Sequence, residues 1–295
     1  VYPKEGIKPI EVLNAILAFL KEKGITFQYE QTFTDWDADN NPIINNKAIK
    51  SGYTVFSLGG GSWKITGSDG SWLDTFSEKG INTKPFSASN CACQVNWKSD
   101  FIQKNEGTPL KNIAISCGNA TQKGEAVITK FGLEGNVIYG LSPQIRAALY
   151  KNGKALVFID FKPTLTTENV LSKINTSTQK NTTATLKKEV KLSAAQIDLL
   201  KTTLSKETYL NTASLATSIK KFPLEITNTA AIDEAISTVG GIELDAVSKN
   251  FELNNLPTQY CIGEMIDWDA PTGGYLLQAC ASMGVFVAKH LNRIN

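Results

Sequence analysis

Residues 260–279 read YCIGEMIDWDAPTGGYLLQA, and this stretch decides the fold because it passes from a strand into a helix. The apolar residues 259–262 predict a short strand. The glycine pair Gly273 and Gly274 then precedes a helix that is predicted from Tyr275 onward. The exposed N–H groups of a helix start suit a phosphate, a carboxylate or the electron-rich edge of a flavin ring. An ordinary capped helix with glycines for close packing explains the same residues equally well.

A second unit of strand, glycine turn and helix lies earlier in the chain. Residues 53–58 predict a strand, the turn is Gly59-Gly60-Gly61-Ser62, and a helix is predicted over 71–79. Neither glycine cluster has the GxGxxG spacing of a dinucleotide-binding turn, and the sequence has no Walker A motif. A glycine turn alone is as typical of a structural hairpin or strand end as it is of a ligand-binding turn. The helix that follows favours the ligand-binding turn.

The remaining segments divide into β-rich and helical stretches. Helices are predicted over about 10–23, 142–150 with Ser142 as its cap, 193–204 with a capping box, 209–220, 230–239 and 275–291. Strands are predicted at 25–29, 43–44 and 48–49, as a small antiparallel meander, and at 91–95, 112–117, 125–129 and 155–161. Residues 164–181, rich in Thr, Asn and Ser, predict an irregular connection.

Length and composition predict a folded protein of two domains. The chain has 295 residues, 42% of them apolar, and no apolar run approaches the roughly 18 residues that a membrane span needs. Its 30 basic residues include only two arginines, Arg146 and Arg293, and 28 acids leave a net charge of +2. This balance argues against a nucleic-acid groove, which prefers arginine. Five cysteines without a CxxC motif or an export signal predict reduced thiols in a cytoplasmic protein.

The residue inventory disfavours hydrolase and metal chemistry. His290 is the single histidine and falls in the last predicted helical turn, so a multi-histidine zinc site lacks its residues. A Ser-His-Asp site would have to recruit His290 itself, and a favourable charge at a helix C-terminus is the expected role of that residue. Asp267 and Asp269 alternate without further oxygen ligands, which predicts a solvated loop rather than a cation site. Cys91 and Cys93 share one face of a strand and are expected in the core. No metal site is expected.

Residues 260–279, together with Thr238–Ile242, closely resemble the C-terminal signature of the HI0933-like (BaiN-type) FAD-dependent flavoproteins. Within them the motif is most similar to the uncharacterised branch that carries GEMLDWEAPTGGYLL. Similar residues also occur at 1–4, 58–63, 67–70, 88–91 and 124–142, so the resemblance covers nearly the whole chain.

This resemblance implies an α/β fold in which a Rossmann-like FAD-binding domain is interrupted. Residues 1–81 and 238–295 would form the FAD-binding domain, 82–163 a β-rich insertion domain and 164–237 a small helical subdomain. The residues it places at FAD are Gly59, Gly60, Gly61, Ser62, Gly263, Glu264, Asp267, Thr272, Gly273, Gly274 and Tyr275. The helix that follows Gly274 would point toward the isoalloxazine ring.

The substrate side of the flavin is also implied by the resemblance. It would consist of Gly132, Glu134 and Gly135, with Asn90 and Tyr139 as weaker candidates. Related branches have a histidine near Lys130, and Ser-Gly-Pro where this chain has Glu134-Gly135-Asn136. Substrate assignments made in those branches therefore do not transfer to this chain.

The beginning of the chain departs from the family pattern. Family members begin with a strand and a GxGxxG turn that bind the ADP half of FAD, and this sequence starts after that region. We therefore expect the chain alone to bind FAD weakly or not at all. A separate N-terminal segment or a second copy of the chain is the expected partner that fills the gap.

Two functional hypotheses follow from the sequence. The first is an FAD-dependent oxidoreductase that acts on a small molecule, by amine oxidation or by double-bond reduction, in which the flavin carries the hydride. The second is a truncated or split flavoprotein that acts as a non-catalytic binding or structural module. Flavin binding discriminates between the two.

Overall fold

The computed structural model describes residues 6–294. The similarity noted at residues 1–4 lies outside the described residues. Contacts divide the chain into two compact units, of which the first ends at Ser51 and the second begins at Gly52.

The first unit contains one amphipathic helix and a small antiparallel sheet. Its elements are α1 (Pro9–Glu22), β1 (Phe33–Trp36), β2 (Pro42–Ile44) and β3 (Lys47–Ala48). At the start of α1 the Glu11 carboxylate accepts a hydrogen bond from the Lys8 N–H at 2.6 Å. The predicted helix is confirmed.

The strand predicted at residues 25–29 is wrong. This segment is irregular, and the meander begins only at Phe33. Ile25 and Tyr29 are 50% and 67% exposed, so the alternation of apolar and polar residues buries neither face. Without a buried face or a partner strand, alternation alone does not stabilise an extended segment.

The second unit holds the other helices and strands of the described chain. The helices are α2 (Trp72–Glu78), α3 (Ser99–Asn105), α4 (Asn136–Tyr139), α5 (Ser142–Asn152), α6 (Thr167–Asn175), α7 (Thr182–Lys188), α8 (Ala194–Thr203), α9 (Lys206–Leu210), α10 (Thr212–Lys220) and α11 (Tyr275–Ile294). The strands are β4 (Thr54–Phe56), β5 (Thr83–Ser89), β6 (Cys93–Gln94), β7 (Pro109–Cys117), β8 (Ala120–Thr129), β9 (Gly132–Glu134), β10 (Ala155–Asp160), β11 (Phe222–Ile226), β12 (Asn228–Thr229), β13 (Ser237–Ile242) and β14 (Gln259–Cys261). The fold is therefore of the mixed α/β class.

A seven-stranded sheet organises the middle of the second unit. Its spatial order is β11-β10-β7-β8-β9-β6-β12, and all neighbouring strands are antiparallel. Side chains of the central strands, including Ile115, Ile128 and Ile159, share one hydrophobic core with helical residues such as Leu200 and Ile219. The helices thus bury their apolar faces against this sheet.

Two smaller sheets flank the glycine-rich segments. β13 pairs with β5 in antiparallel fashion, and β14 pairs with β4 in parallel, with Tyr260 opposite Val55. β4 and β14, the strands that lead into the turns at Gly59 and Gly263, thus belong to the same sheet. Both turns therefore leave the same end of one parallel pair.

The helix predicted over 230–239 is wrong. The segment instead contains a short 3₁₀ turn at 232–234 and strand β13, in which Ser237 lies opposite Ser89. Gly240 and Gly241 have φ angles of +106° and +103°, which no right-handed helix contains. A distant partner strand, which local patterns do not reveal, decides the conformation here.

Three local predictions also need correction. The irregular connection predicted over 164–181 contains α6, whose start is capped by Thr166 as it accepts the Asn169 N–H at 3.2 Å. The single helix predicted over 209–220 is divided at Asn211, which caps α10 by accepting the Ser214 N–H. Ser142 is the first residue of α5 rather than its cap, and its hydroxyl accepts a hydrogen bond from another segment.

The domain boundaries predicted at 81/82, 163/164 and 237/238 stay predictions. Helices α6–α10 fall within the predicted helical region, which also contributes β11 and β12 to the large sheet. No helix within residues 6–294 has both the length and the apolar content that a membrane crossing requires.

Gly132 provides a test of the packing between β9 and β6. A Cβ atom at this position would lie 1.8 Å from the Cys93 carbonyl oxygen. We expect Gly132→Ala to lower the free energy of unfolding by about 1–3 kcal/mol or more, as overpacking does. Gly52→Ala is the control, because a Cβ there meets nothing within 4 Å. Equal urea midpoints for the two variants would contradict the strand packing.

Candidate functional site

The glycine turn that follows β4 is bonded to its own surroundings. The Gly59 carbonyl accepts a hydrogen bond from the Trp72 indole N–H at 3.0 Å, and the Gly60 carbonyl accepts one from the Ser68 hydroxyl at 3.0 Å. Ser62, at the end of the turn, is buried. These glycines allow close packing, and contact of Gly59–Ser62 with a dinucleotide stays a prediction.

Thr238 and Glu264 hold this turn from the other side. The Gly61 N–H donates to Thr238 Oγ1 at 3.2 Å, and Glu264 Oε1 accepts the Thr238 N–H at 3.0 Å. A Cβ on Gly60 would lie 2.2 Å from Thr238 Oγ1, so this contact requires glycine. Glu264, which the resemblance places at FAD, therefore links the ends of β4, β13 and β14.

Asp267 fastens the next part of the loop to β13 and β5. Its Oδ1 accepts the Gly240 N–H at 3.1 Å, and its Oδ2 lies 2.7 Å from Lys84 Nζ. Hydrogen bonds with Asp267 and then Glu243 raise the pKa of Lys84. This carboxylate is engaged with protein donors.

Asp269 is the centre of a mostly buried polar cluster. Its carboxylate accepts the Ser89 hydroxyl at 2.5 Å and forms an ion pair with Arg146, whose guanidinium also donates to the Ala88 carbonyl at 3.3 Å. The Arg146 and Asp269 side chains are only 24% and 22% exposed. The prediction that Asp267 and Asp269 lie in a solvated loop is therefore wrong, because both carboxylates cross-link the loop to distant strands.

Asn90 completes the attachment of this loop. Its side-chain amide donates to the Ala270 carbonyl at 2.6 Å and to the Ser237 hydroxyl at 2.7 Å, and its N–H donates to the Ser142 hydroxyl at 3.2 Å. Asn90 is 4% exposed and has a φ angle of +51°, a conformation that asparagine tolerates better than most residues. It thus joins the loop before α11 to the β-rich region.

The start of α11 is open. Gly273 and Gly274 have φ angles of +109° and +86°, and a Cβ on Gly274 would meet nothing within 4 Å. Thr272 is partly exposed, and Tyr275 is 59% exposed. Because the first N–H groups of a helix lack intrahelical acceptors, this exposed backbone fits the approach of a flat, electron-rich ring such as a flavin. Gly263 lies near Cys280 of α11, since a Cβ added at Gly263 would be 3.8 Å from Cys280 Sγ.

A cavity of about 530 Å³ lies at three of the five residues that the resemblance places on the substrate side. It is lined by Asn90, Cys91, Ala92, Cys93, Gln94, Thr129, Phe131, Glu134, Tyr139, Ala230, Ala231, Glu234 and Ile236. Asn90, Glu134 and Tyr139 thus line one cavity, whereas Gly132 and Gly135 are not among its lining residues. A Cβ at Gly132 or Gly135 would approach the carbonyl oxygens of Cys93 and Glu125 to 1.8 and 3.0 Å, so both glycines are confined by neighbouring backbone.

The ionisable groups at the cavity have distinct environments. Burial raises the pKa of Cys91 and of Cys93, so both thiols are protonated at neutral pH and neither is an activated nucleophile. Both side chains are 3% exposed, which confirms that they belong to the core. Burial, followed by the charge of Glu134, raises the pKa of Tyr139, so its phenol keeps its proton at neutral pH.

The predicted site residues therefore form three groups. Gly59–Ser62, Glu264 and Asp267 lie in the network around β13, Thr272–Tyr275 lie at the start of α11, and Asn90 connects the loop before α11 with the cavity. Sequence reasoning missed Arg146, Ser89 and Glu234. The scarcity of arginine in the chain was the available signal for Arg146. Within residues 6–294, no group of three or more His, Cys, Asp or Glu side chains could hold a metal ion.

A family profile and a solved structure are similar to this chain. The profile of the HI0933-like protein Rossmann domain matches residues 1–290. No curated protein matches the chain. Among solved structures it is similar to the 3-ketosteroid delta1-dehydrogenase from Sterolibacterium denitrificans in complex with 1,4-androstadiene-3,17-dione, at 14% identity and a TM-score of 0.37. That alignment covers 94% of this chain and 61% of the dehydrogenase, so the chain spans about three fifths of that protein's length.

The ion pair of Arg146 and Asp269 can be tested by its contribution to stability. Arg146→Met leaves the mostly buried Asp269 carboxylate without its cation, and we expect a loss of about 2 kcal/mol or more in the free energy of unfolding. Lys154→Met is the matched control, since Lys154 and Glu225 are 61% and 49% exposed, and it should cost less than about 1 kcal/mol. Chemical denaturation measures the free energy of unfolding of both variants. Similar losses would show that the pair of Arg146 and Asp269 stabilises the protein no more than an exposed ion pair does.

Proposed function

The chain belongs to the HI0933-like family, and from this premise we propose that it is an FAD-dependent oxidoreductase acting on a small molecule. The family match covers residues 1–290, and the fold is mixed α/β. The motif with Gly273 and Gly274, which opens α11, supports FAD as the cofactor.

One contact carries the proposal. The Asn90 side chain lines the 530 Å³ cavity, and its amide also donates to the Ala270 carbonyl at 2.6 Å, two residues before Thr272. A cavity for a small molecule and an open helix start for a ring are therefore connected through one buried amide. Transfer of a hydride would require the substrate and the ring to lie close together, and this contact links the segment that lines the cavity to the loop that leads into α11.

The residues that would hold the cofactor lie at the start of α11. Thr272, Gly273, Gly274 and Tyr275 present exposed backbone, and the helix terminus places partial positive charge there. A bound flavin supplies hydride and electron transfer, and the protein supplies orientation and electrostatics. Asn90 orients the loop before the helix, and the protonated Tyr139 phenol is a hydrogen-bond donor at the cavity.

The substrate reaction has two candidates, amine oxidation and double-bond reduction, both taken from the family resemblance. A module without redox activity is the alternative function. The internal bonding of the Gly59–Gly61 turn favours that alternative, because the Gly59 and Gly60 carbonyls and the Gly61 N–H already have protein partners.

Calorimetric titration of FAD into the 295-residue protein tests the cofactor. We expect weak but saturable one-to-one binding, because the open backbone for the ligand is concentrated at the start of α11. Riboflavin, which shares the ring, should compete with FAD for the same site. No saturable heat would favour the non-catalytic module, and tight one-to-one binding by a monomer would contradict the expectation of weak or absent binding by the chain alone.

Gly274→Val tests where the ring lies. The added side chain occupies space that is open in the protein, so it should block the ring and reduce flavin affinity about tenfold or more. Gly153→Val is the matched control, since Gly153 also has a positive φ angle, +70°, and open space around its Cβ. Both variants carry similar backbone strain. Equal flavin affinities in the two variants would show that the ring does not approach Gly274.

A further inference from the structure

The cavity beside Asn90 has the size of a site for a small organic molecule. Its volume of about 530 Å³ falls within the range of about 300–1,000 Å³ that ligand pockets usually have. Much of its lining is apolar and comes from Ala92, Ala230, Ala231 and Ile236. The walls therefore favour a ligand with an apolar body.

The charged groups of this cavity are all of one sign. Glu134 and Glu234 contribute carboxylates, and the other lining residues carry no charge at neutral pH. Within residues 6–294, neither glutamate forms an ion pair with a lysine or arginine. Lys130, whose ammonium lies 5.7 Å from the centre of the Phe131 ring, lines the adjacent cavity instead.

The two carboxylates are held on fixed backbone. Glu134 lies in β9, opposite Val127 of β8. Glu234 lies in the 3₁₀ turn at 232–234, and both flanks of that turn are bonded to the segment between β5 and β6. The Ala230 N–H donates to the Ala92 carbonyl at 2.8 Å, and the Ile236 N–H donates to the Asn90 carbonyl at 3.4 Å. Both charges are therefore part of the cavity wall rather than of a mobile surface loop.

Aromatic rings add to the attraction for a cation. Phe131 is 71% exposed, and both Phe131 and Tyr139 line the cavity. The faces of aromatic rings attract ammonium groups. Burial and the charge of Glu134 raise the pKa of Tyr139, in agreement with a negative potential in this cavity.

We propose that this cavity takes a small organic cation, in which an ammonium group is attached to an apolar or aromatic body. Glu134 and Glu234 would receive the ammonium group, and the alanines and Ile236 would contact the body. If this ligand is the substrate of the proposed oxidoreductase, the inference names the chemical class of that substrate, and to that extent it rests on the proposed function.

Three probes with the same aromatic body test the charge preference. Phenethylammonium, neutral 2-phenylethanol and anionic 3-phenylpropionate are titrated into the 295-residue protein at pH 7, and the backbone amides of Phe131, Glu134 and Ala231 are followed by NMR. We expect saturable shifts with phenethylammonium, weaker shifts with the alcohol and none with the carboxylate. Equal binding of all three probes, preference for the anion, or no shifts with any probe would overturn the proposal.

Variants then assign the preference to the two carboxylates. Glu134→Gln and Glu234→Gln should each weaken phenethylammonium binding about fivefold and leave 2-phenylethanol unchanged. Glu207→Gln is the control, because Glu207 is exposed on α9 and does not line the cavity. A variant that binds neither phenethylammonium nor 2-phenylethanol has altered folding. The comparison of the three probes on the unmodified protein then decides whether the cavity prefers a cation.

The same titrations separate this inference from the proposed cofactor. Phenethylammonium binding is measured without FAD, so it supports the cavity assignment even if FAD does not bind. FAD binding combined with no preference for the cation would overturn the cavity assignment and leave the flavoprotein proposal intact.

Discussion

The loop 267–271 has no regular secondary structure, and its position depends on side chains that are distant in the sequence. Asp269 pairs with Arg146 and Ser89, and Asn90 donates to the Ala270 carbonyl. Because α11 begins only a few residues later, these contacts also determine where the helix starts. Mostly buried carboxylates need such partners, since an uncompensated charge away from water is costly. The contacts that stabilise the loop therefore also arrange the candidate site.

Local signals predicted much of the fold. α1 has its apolar spacing and α8 has the reciprocal Ser193 and Gln196 capping box, so both helices follow from nearby residues. The helix predicted over 230–239 was wrong because β5 supplies a partner for β13 that lies about 150 positions earlier in the chain. α6 was missed although Val170 and Ile174, one helical turn apart, are buried. Its polar composition concealed a short amphipathic face.

The candidate site was predicted less completely than the fold. Glycine patterns and the family resemblance identified the turns. Three of the five residues that the resemblance places on the substrate side, Asn90, Glu134 and Tyr139, line one cavity, and their contact with a substrate stays a prediction. The role of Arg146 could not be predicted, because its pairing with Asp269 spans 123 positions. Glu234 was likewise absent from the sequence interpretation, since its segment was assigned to a helix. Long-range pairing, rather than local preference, decides these positions.

Gly132 and Gly135 bear on how this cavity can evolve. Both are confined by carbonyl oxygens, at Cys93 and Glu125, so neither position accepts a side chain without moving backbone. Position 134 lies between them and contributes its side chain to the cavity wall. One substitution there changes the charge presented to a ligand while the flanking glycines keep the strand in place. Selection can therefore alter ligand preference at this position by a single codon change without rebuilding the sheet.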